Sequence, residues 1–192
     1  MPFMVSSVPV WELVTVVNGS LRRMARRIEH RTRSASDAKT VYAAVVDEEY
    51  LNQRLAALGG KNATLFDYKQ TAGTASYRLR HGVAAQDLPS AIRPLLGGDL
   101  KIDRVESWRA EPDGTYSGTV RVTIPGMPGD LTGKMGLTDI DGGGSTVLIT
   151  GSVSIPIPIF GGKVEESVAD QLGKLLDAEQ KFTENWLRDH SS

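Results

Sequence analysis

From Thr64 to Ile155 the chain keeps an alternating, two-residue period, and from Lys163 to Arg188 it turns helical with no proline. This pairing of a long β-patterned stretch with one terminal helix restricts the fold more than any other feature. Tyr77, Leu79, His81 and Val83 alternate with Ser76, Arg78, Arg80 and Gly82. Tyr116, Gly118, Val120, Val122 and Ile124 alternate with Ser117, Thr119, Arg121 and Thr123. Leu131, Gly133, Met135 and Leu137 repeat the pattern, as do Val147, Ile149, Gly151 and Val153. Phe66 and Tyr68 are expected to share a face, and Leu100 to Trp108 reads as a strand with muddled alternation, as a bulge would give. Leu88 to Gly98 and Pro125 to Gly129 read as loops, and Pro112-Asp113-Gly114 and Asp141-Gly142-Gly143-Gly144 as tight turns. One polar face, one apolar face and short turns define an antiparallel sheet.

The terminal helix carries Val164, Val168, Leu172, Leu175, Leu176, Phe182 and Trp186 at spacings of three and four, so it needs a sheet to lie on. Ahead of the alternating stretch, Ile28, His30 and Thr32 alternate with Arg27, Glu29, Arg31 and Arg33, as in a strand with a solvated basic face. That basic run could also meet phosphates or anionic lipids. Two short helices follow. Ser34 and Asp37 have capping-box spacing, with Ser36 a competing cap, ahead of a stripe at Val41, Tyr42, Val45 and Val46. Asp47 caps the second helix, with Tyr50, Leu51, Leu55 and Leu58 on one face and Gly59-Gly60 at its end. The class is α+β.

Composition excludes several functions. Among 192 residues, 22 Lys and Arg face 23 Asp and Glu, giving a net charge of −1 and no global field to gather nucleic acid. There is no cysteine, hence no thiolate metal site, disulfide or cysteine nucleophile. No apolar run reaches the roughly 20 residues that span a bilayer. The expected location is cytoplasmic. Residues 1–23 lack a signal-peptide pattern and are expected to be a loose extension, or the product of a start upstream of Met24. Residues 24–190 are expected to form one domain.

The order of elements resembles the helix-grip fold of the START and birch-pollen-allergen superfamily (SRPBCC). Within it the chain resembles an actinobacterial family of unknown function. The resemblance rests on Asp37-Ala38-Lys39-Thr40-Val41-Tyr42, on Asp47-Glu48-Glu49-Tyr50-Leu51, and on Ser107-Trp108 before the Asp113-Gly114 turn. It is strongest over Ile155-Pro156-Ile157-Pro158-Ile159-Phe160-Gly161-Gly162-Lys163-Val164-Glu165. It implies a curved seven-stranded antiparallel sheet wrapped around the C-terminal helix, typically with a cavity between them. The family supplies no catalytic motif.

Gly118, Gly133 and Gly151 fall on the inward face of strands expected to be neighbours, which suits either a hollow or a strongly coiled sheet. The candidate lining comprises His30, Tyr68, Tyr77, His81, Trp108, Val122, Met135, Gly151, Leu172 and Leu176. Its expected occupant is a small apolar molecule, lipid or polyketide-like, bound without catalysis. The alternatives are a small cyclase- or hydrolase-like enzyme using His30 or His81 as acid/base, and an interaction module with a vestigial cavity. His30 and His81 are expected to lie near each other. No metal-ligand spacing, phosphate loop or nucleophile motif is present, so no metal, cofactor or nucleic-acid partner is expected.

Overall fold

The computed structural model describes residues 26–87, 93, 97–126, 129–154 and 161–190. Seven strands form one antiparallel sheet: β1 (Arg26–Ser34), β2 (Thr64–Thr71), β3 (Thr74–Val83), β4 (Leu100–Ala110), β5 (Tyr116–Thr123), β6 (Asp130–Asp139) and β7 (Ser145–Ser154). Their order is β1-β7-β6-β5-β4-β3-β2. The last six strands are a meander of hairpins. β1 joins the far edge beside β7, so β1 and β2, consecutive among the strands, occupy opposite edges. Two short helices bridge them, α1 (Ala38–Val45) and α2 (Glu48–Leu58). The long helix α3 (Gly161–Asp189) has 29 residues, about 44 Å. Among the described residues it packs chiefly on β1 and against α1 and α2, with a lighter contact on β7.

Local chemistry fixes the helices. Asp37, rather than Ser34 or Ser36, is the N-cap of α1, its carboxylate accepting from Thr40 N at 2.7 Å. Those hydrogen bonds hold the Asp37 carboxyl below its ordinary range. Asp139 on β6 accepts from Ala38 N at 2.6 Å and ties the same helix start to the sheet. Asp47 caps α2 through Tyr50 N at 2.8 Å. At the other end of α2, Gly60 has φ +76 and Gly82 N donates to Gly59 O at 2.9 Å. A Cβ on Gly82 would stand 1.8 Å from Lys61 O, so only glycine lets β3 approach this closely. At the C-terminus of α3 the His190 ring stacks on Trp186 at 3.8 Å, and its Nδ1 donates to the Trp186 carbonyl at 2.9 Å.

The bulge lies in β2, not in β4. The β2–β3 register shifts between Phe66 and Lys69, where Asp67 takes φ +52. Phe66 and Tyr68 therefore do not share a face: Phe66 pairs with outward Arg78, while Tyr68 packs toward the core. β4 pairs with β3 without interruption from Leu100 to Arg109. Its alternation looked muddled because its buried positions include Arg104 and Glu106. Of the loop expected over Leu88 to Gly98 only Arg93, Gly97 and Gly98 are among the described residues, and residues 127–128, 155–160 and the whole N-terminal extension lie outside them.

Candidate functional site

Three register rows cross the inner face of the sheet. One runs Ala75, Trp108, Gly118, Met135, Ile149, His30; the next runs Tyr77, Glu106, Val120, Gly133, Gly151, Ile28; the third runs Leu79, Arg104, Val122, Leu131, Val153. Between these rows and α3 lies a hollow of about 70 Å³. Val41, Val45, Trp108, Met135, Leu137, Val147, Ile149 and Leu176 give its apolar wall. His30, Thr32, Tyr50, Arg54, Arg104, Glu106, Glu179, Gln180 and Thr183 give its polar wall. That volume accommodates a few waters.

Four buried charges meet at the polar wall, two of each sign. Arg54 is 6% exposed, Arg104 7%, Glu106 2% and Glu179 7%. Arg104 Nη1 donates to both carboxylate oxygens of Glu179, at 2.9 and 3.0 Å. Its Nε lies 2.5 Å from Glu106 Oε1, a charge contact out of line for a hydrogen bond. Arg54 Nη2 is 3.8 Å from the same oxygen, and its guanidinium lies 5.5 Å from the centre of the Tyr50 ring. Glu106 Oε2 accepts from Trp108 Nε1 at 3.3 Å and from the Tyr77 hydroxyl at 2.9 Å, which also reaches Val45 O at 3.1 Å. Thr183 donates to Glu179 O at 2.8 Å, so the Tyr50 hydroxyl, 2.7 Å away, donates to Thr183.

These contacts set the protonation states. Burial pushes the Glu179 carboxyl up, but the charges of Arg104 and Arg54 and the Arg104 hydrogen bonds outweigh it and hold the group below its ordinary range. Burial works against both guanidiniums, and the carboxylates keep them charged. Burial drives the Tyr77 hydroxyl far above its ordinary value. His81 is pushed down to about 4 by burial and then by the Arg104 charge, with Glu179 opposing. At neutral pH its imidazole is uncharged.

Of the ten candidate lining residues, His30, Trp108, Met135 and Leu176 border the hollow. The other six lie elsewhere. Tyr77 is wholly buried beneath Glu106, and the Tyr68 hydroxyl donates to Val46 O at 2.8 Å and also contacts Gln70. Val122 packs against the core, and Leu172 is half-buried on α3. Gly151 has no room for a side chain. A Cβ there would stand 2.4 Å from Thr132 O and 3.0 Å from Gly133 Cα, so this glycine permits close strand approach and does not open space. At Gly118 the side chains of Met135 and Trp108 already fill the volume.

The two histidines are not neighbours. Four strands separate β1 from β3 in the sheet, so His30 and His81 cannot form an acid/base pair within one register row. His30 Nε2 approaches Asp177 of α3 at 3.6 Å. His81 is paired in register with Ile102 on β4, and no hydrogen-bond partner reaches its buried Nε2. Among the described residues no group of three or more His, Asp or Glu could hold a metal ion. No described helix is long and apolar enough to cross a membrane.

Sequence reasoning missed Arg54, Arg104, Glu106 and Glu179. A signal existed. Arg104 and Glu106 occupy the same alternate positions as Leu100 and Trp108, and Glu179 stands on the helical stripe of Leu172, Leu176 and Thr183.

A seven-stranded antiparallel sheet gripping a long C-terminal helix, with two short helices inserted after the first strand, defines a START-like helix-grip protein. Solved structures agree. TTHA0849 from Thermus thermophilus superposes with a TM-score of 0.56 at 18% identity, covering 87% of this chain and 100% of that one. Human STARD10 gives 0.56 at 14% identity, covering 90% and 70%. A START superfamily protein from Mycobacterium smegmatis gives 0.51 at 13%, covering 85% and 97%. More particularly, the chain belongs to the family described as protein of unknown function DUF2505, whose model matches residues 29–187. The uncharacterized protein Rv0481c of Mycobacterium tuberculosis is 28% identical over 170 residues, covering 85% of this chain and 98% of that protein.

Proposed function

We propose that this protein binds a small, largely apolar molecule, lipid-like or polyketide-like, between the sheet and α3, without converting it chemically. One observation carries the reading. Five buried side-chain polar atoms have no hydrogen-bond partner among the described residues. Arg104 Nε and Glu106 Oε1 face each other as an ion pair, whereas Arg54 Nη2, 3.8 Å from that oxygen, and His30 Nε2, 3.6 Å from Asp177, border the hollow with no hydrogen bond. Folded proteins rarely leave such atoms unsatisfied in one place without a use for them. The apolar wall would hold the body of the molecule, and Arg54 with His30 would meet a polar end.

The hollow of about 70 Å³ is far below the roughly 300 Å³ of a drug-sized site. Uptake therefore requires α3 to lift. Among the described residues the helix packs mainly on β1, α1 and α2, so lifting it means parting those contacts and the Arg104–Glu179 pair. Native mass spectra of the full chain, before and after organic extraction, test the reading. A mass excess removed by extraction and restored by a fluorescent fatty acid is the expected result. Val147→Phe, which narrows the hollow, should weaken that uptake in a folded chain. No excess mass and no saturable uptake of any apolar probe would reject it.

A further inference from the structure

The outward face of the sheet carries a pattern that the hollow does not use. In one register row Phe66 stands beside Arg78, Arg78 beside Val105, and Val105 beside Arg121. Phe66 is 37% and Val105 44% exposed, the two exposed large hydrophobic residues among those described. The next outward row adds Lys134, opposite Thr119, and the row beyond it Arg109, opposite Ser117, both exposed. β5 is the middle strand of the seven, so Arg121, Val105 and Lys134 stand at the summit of the convex side.

The carboxylates nearby are few and engaged. Asp67 takes Arg78 at 3.0 Å, Asp130 takes Arg121 at 3.4 Å and Asp103 takes Arg80 at 2.7 Å. Glu111 accepts from Ser117. Arg109 and Lys134 have no carboxylate partner among the described residues. With Lys69 and Lys101, exposed on the same side of the sheet, seven cations face these four carboxylates, a local excess of positive charge in a chain whose net charge is −1.

We propose that this face docks on the surface of an anionic lipid bilayer. Apolar tips ringed by cations suit the boundary between headgroups and acyl chains, where the tips enter and the cations meet lipid phosphates. A single-stranded nucleic acid is served by a groove lined with several stacking aromatics. This convex face offers one ring, Phe66, with the Arg80 guanidinium 5.2 Å from its centre.

The test uses the full chain in vesicle sedimentation, with neutral phosphatidylcholine vesicles and vesicles containing about a third phosphatidylglycerol. Binding is expected to the anionic vesicles only, and to fall steeply in 0.5 M salt. Each cation near an anionic surface strengthens adsorption about five-fold, so Arg109→Gln with Lys134→Gln should weaken it about 25-fold. Val105→Ser, carrying no charge change, should weaken it a few-fold. All three side chains are exposed, so circular dichroism and Tm should stay those of the parent. Equal binding to neutral vesicles, binding unaltered by the double substitution, or a preference for single-stranded or duplex DNA over vesicles would overturn the proposal.

Discussion

Replacing Glu106 by Gln removes one of the two negative charges that face two buried guanidiniums. The substitution nearly preserves volume, and the Gln carbonyl can still accept from Tyr77 or Trp108, so the main change is electrostatic. Arg104 Nε at 2.5 Å and Arg54 Nη2 at 3.8 Å then share Glu179 alone, leaving one net positive charge beneath the helix. All four groups are less than a tenth exposed, so water screens them little. Breaking a buried pair by removing one partner costs about 3–5 kcal/mol. For a chain of this size about 4 kcal/mol corresponds to a Tm lowered by about 12 °C.

Urea unfolding followed by tryptophan fluorescence, with calorimetry alongside, reads the effect. Arg54→Met alone should cost about 3 kcal/mol, because it leaves the opposite imbalance. The pair Glu106→Gln with Arg54→Met leaves Arg104 and Glu179 as a neutral bidentate pair, so its loss should fall short of the sum by at least about 1.5 kcal/mol. A loss under about 1 kcal/mol for Glu106→Gln, or strict additivity of the pair, would refute a buried network of balanced charge.

The remaining predictions probe the other inward groups. His81 titrates at about 4 in the folded chain and near its ordinary 6.5 when unfolded, so the unfolded state binds more protons between those values. Stability should therefore fall by about 3 kcal/mol as pH drops from 6.5 to 4, and His81→Phe should flatten that fall in urea midpoints taken across the window. Glu179 has the same sign at lower pH: its folded pKa is depressed, so its contribution is present above the ordinary carboxyl range and is lost as pH falls through the folded value. Gly151→Ala should cost about 1–3 kcal/mol through collision with Thr132 O, and an unchanged urea midpoint would show that β6 and β7 can separate there. Residues 1–23 are proposed to lie outside the domain, so their deletion should leave Tm within about 1 °C, whereas a loss of several degrees would mean that they dock on it.

The fold was legible because two periods, 2 and 3.6, survive in the sequence almost everywhere the backbone is regular. What failed did so for separable reasons. An inward glycine has two physical meanings, empty space or close backbone approach, and only the 2.4 Å distance at Gly151 separates them. The expected meeting of His30 and His81 depended on strand order, and adding β1 beside β7 puts four strands between them. Alternation of Phe66 with Tyr68 broke at a bulge centred on Asp67, a residue that tolerates positive φ without advertising it.

The charged network has a different lesson. Arg54 lies beside Leu51 and Leu55 on a helix that is otherwise apolar inward; Arg104 and Glu106 occupy inward strand positions; Glu179 breaks the stripe of α3. Each alone reads as noise in a hydrophobic pattern. Taken together they carry two positive and two negative charges, on one strand and two helices that the topology brings against one another. A buried charge without a partner is too costly to persist, so violations of inward apolar pattern that cancel in sign are the trace of one shared network. The same cancellation explains why composition, with 22 basic and 23 acidic residues, gave no hint of it. An imbalance in such a set would instead have pointed to a charged ligand. Here the set is neutral, and that favours an occupant whose body is apolar and whose polar end needs hydrogen bonds rather than a counter-charge.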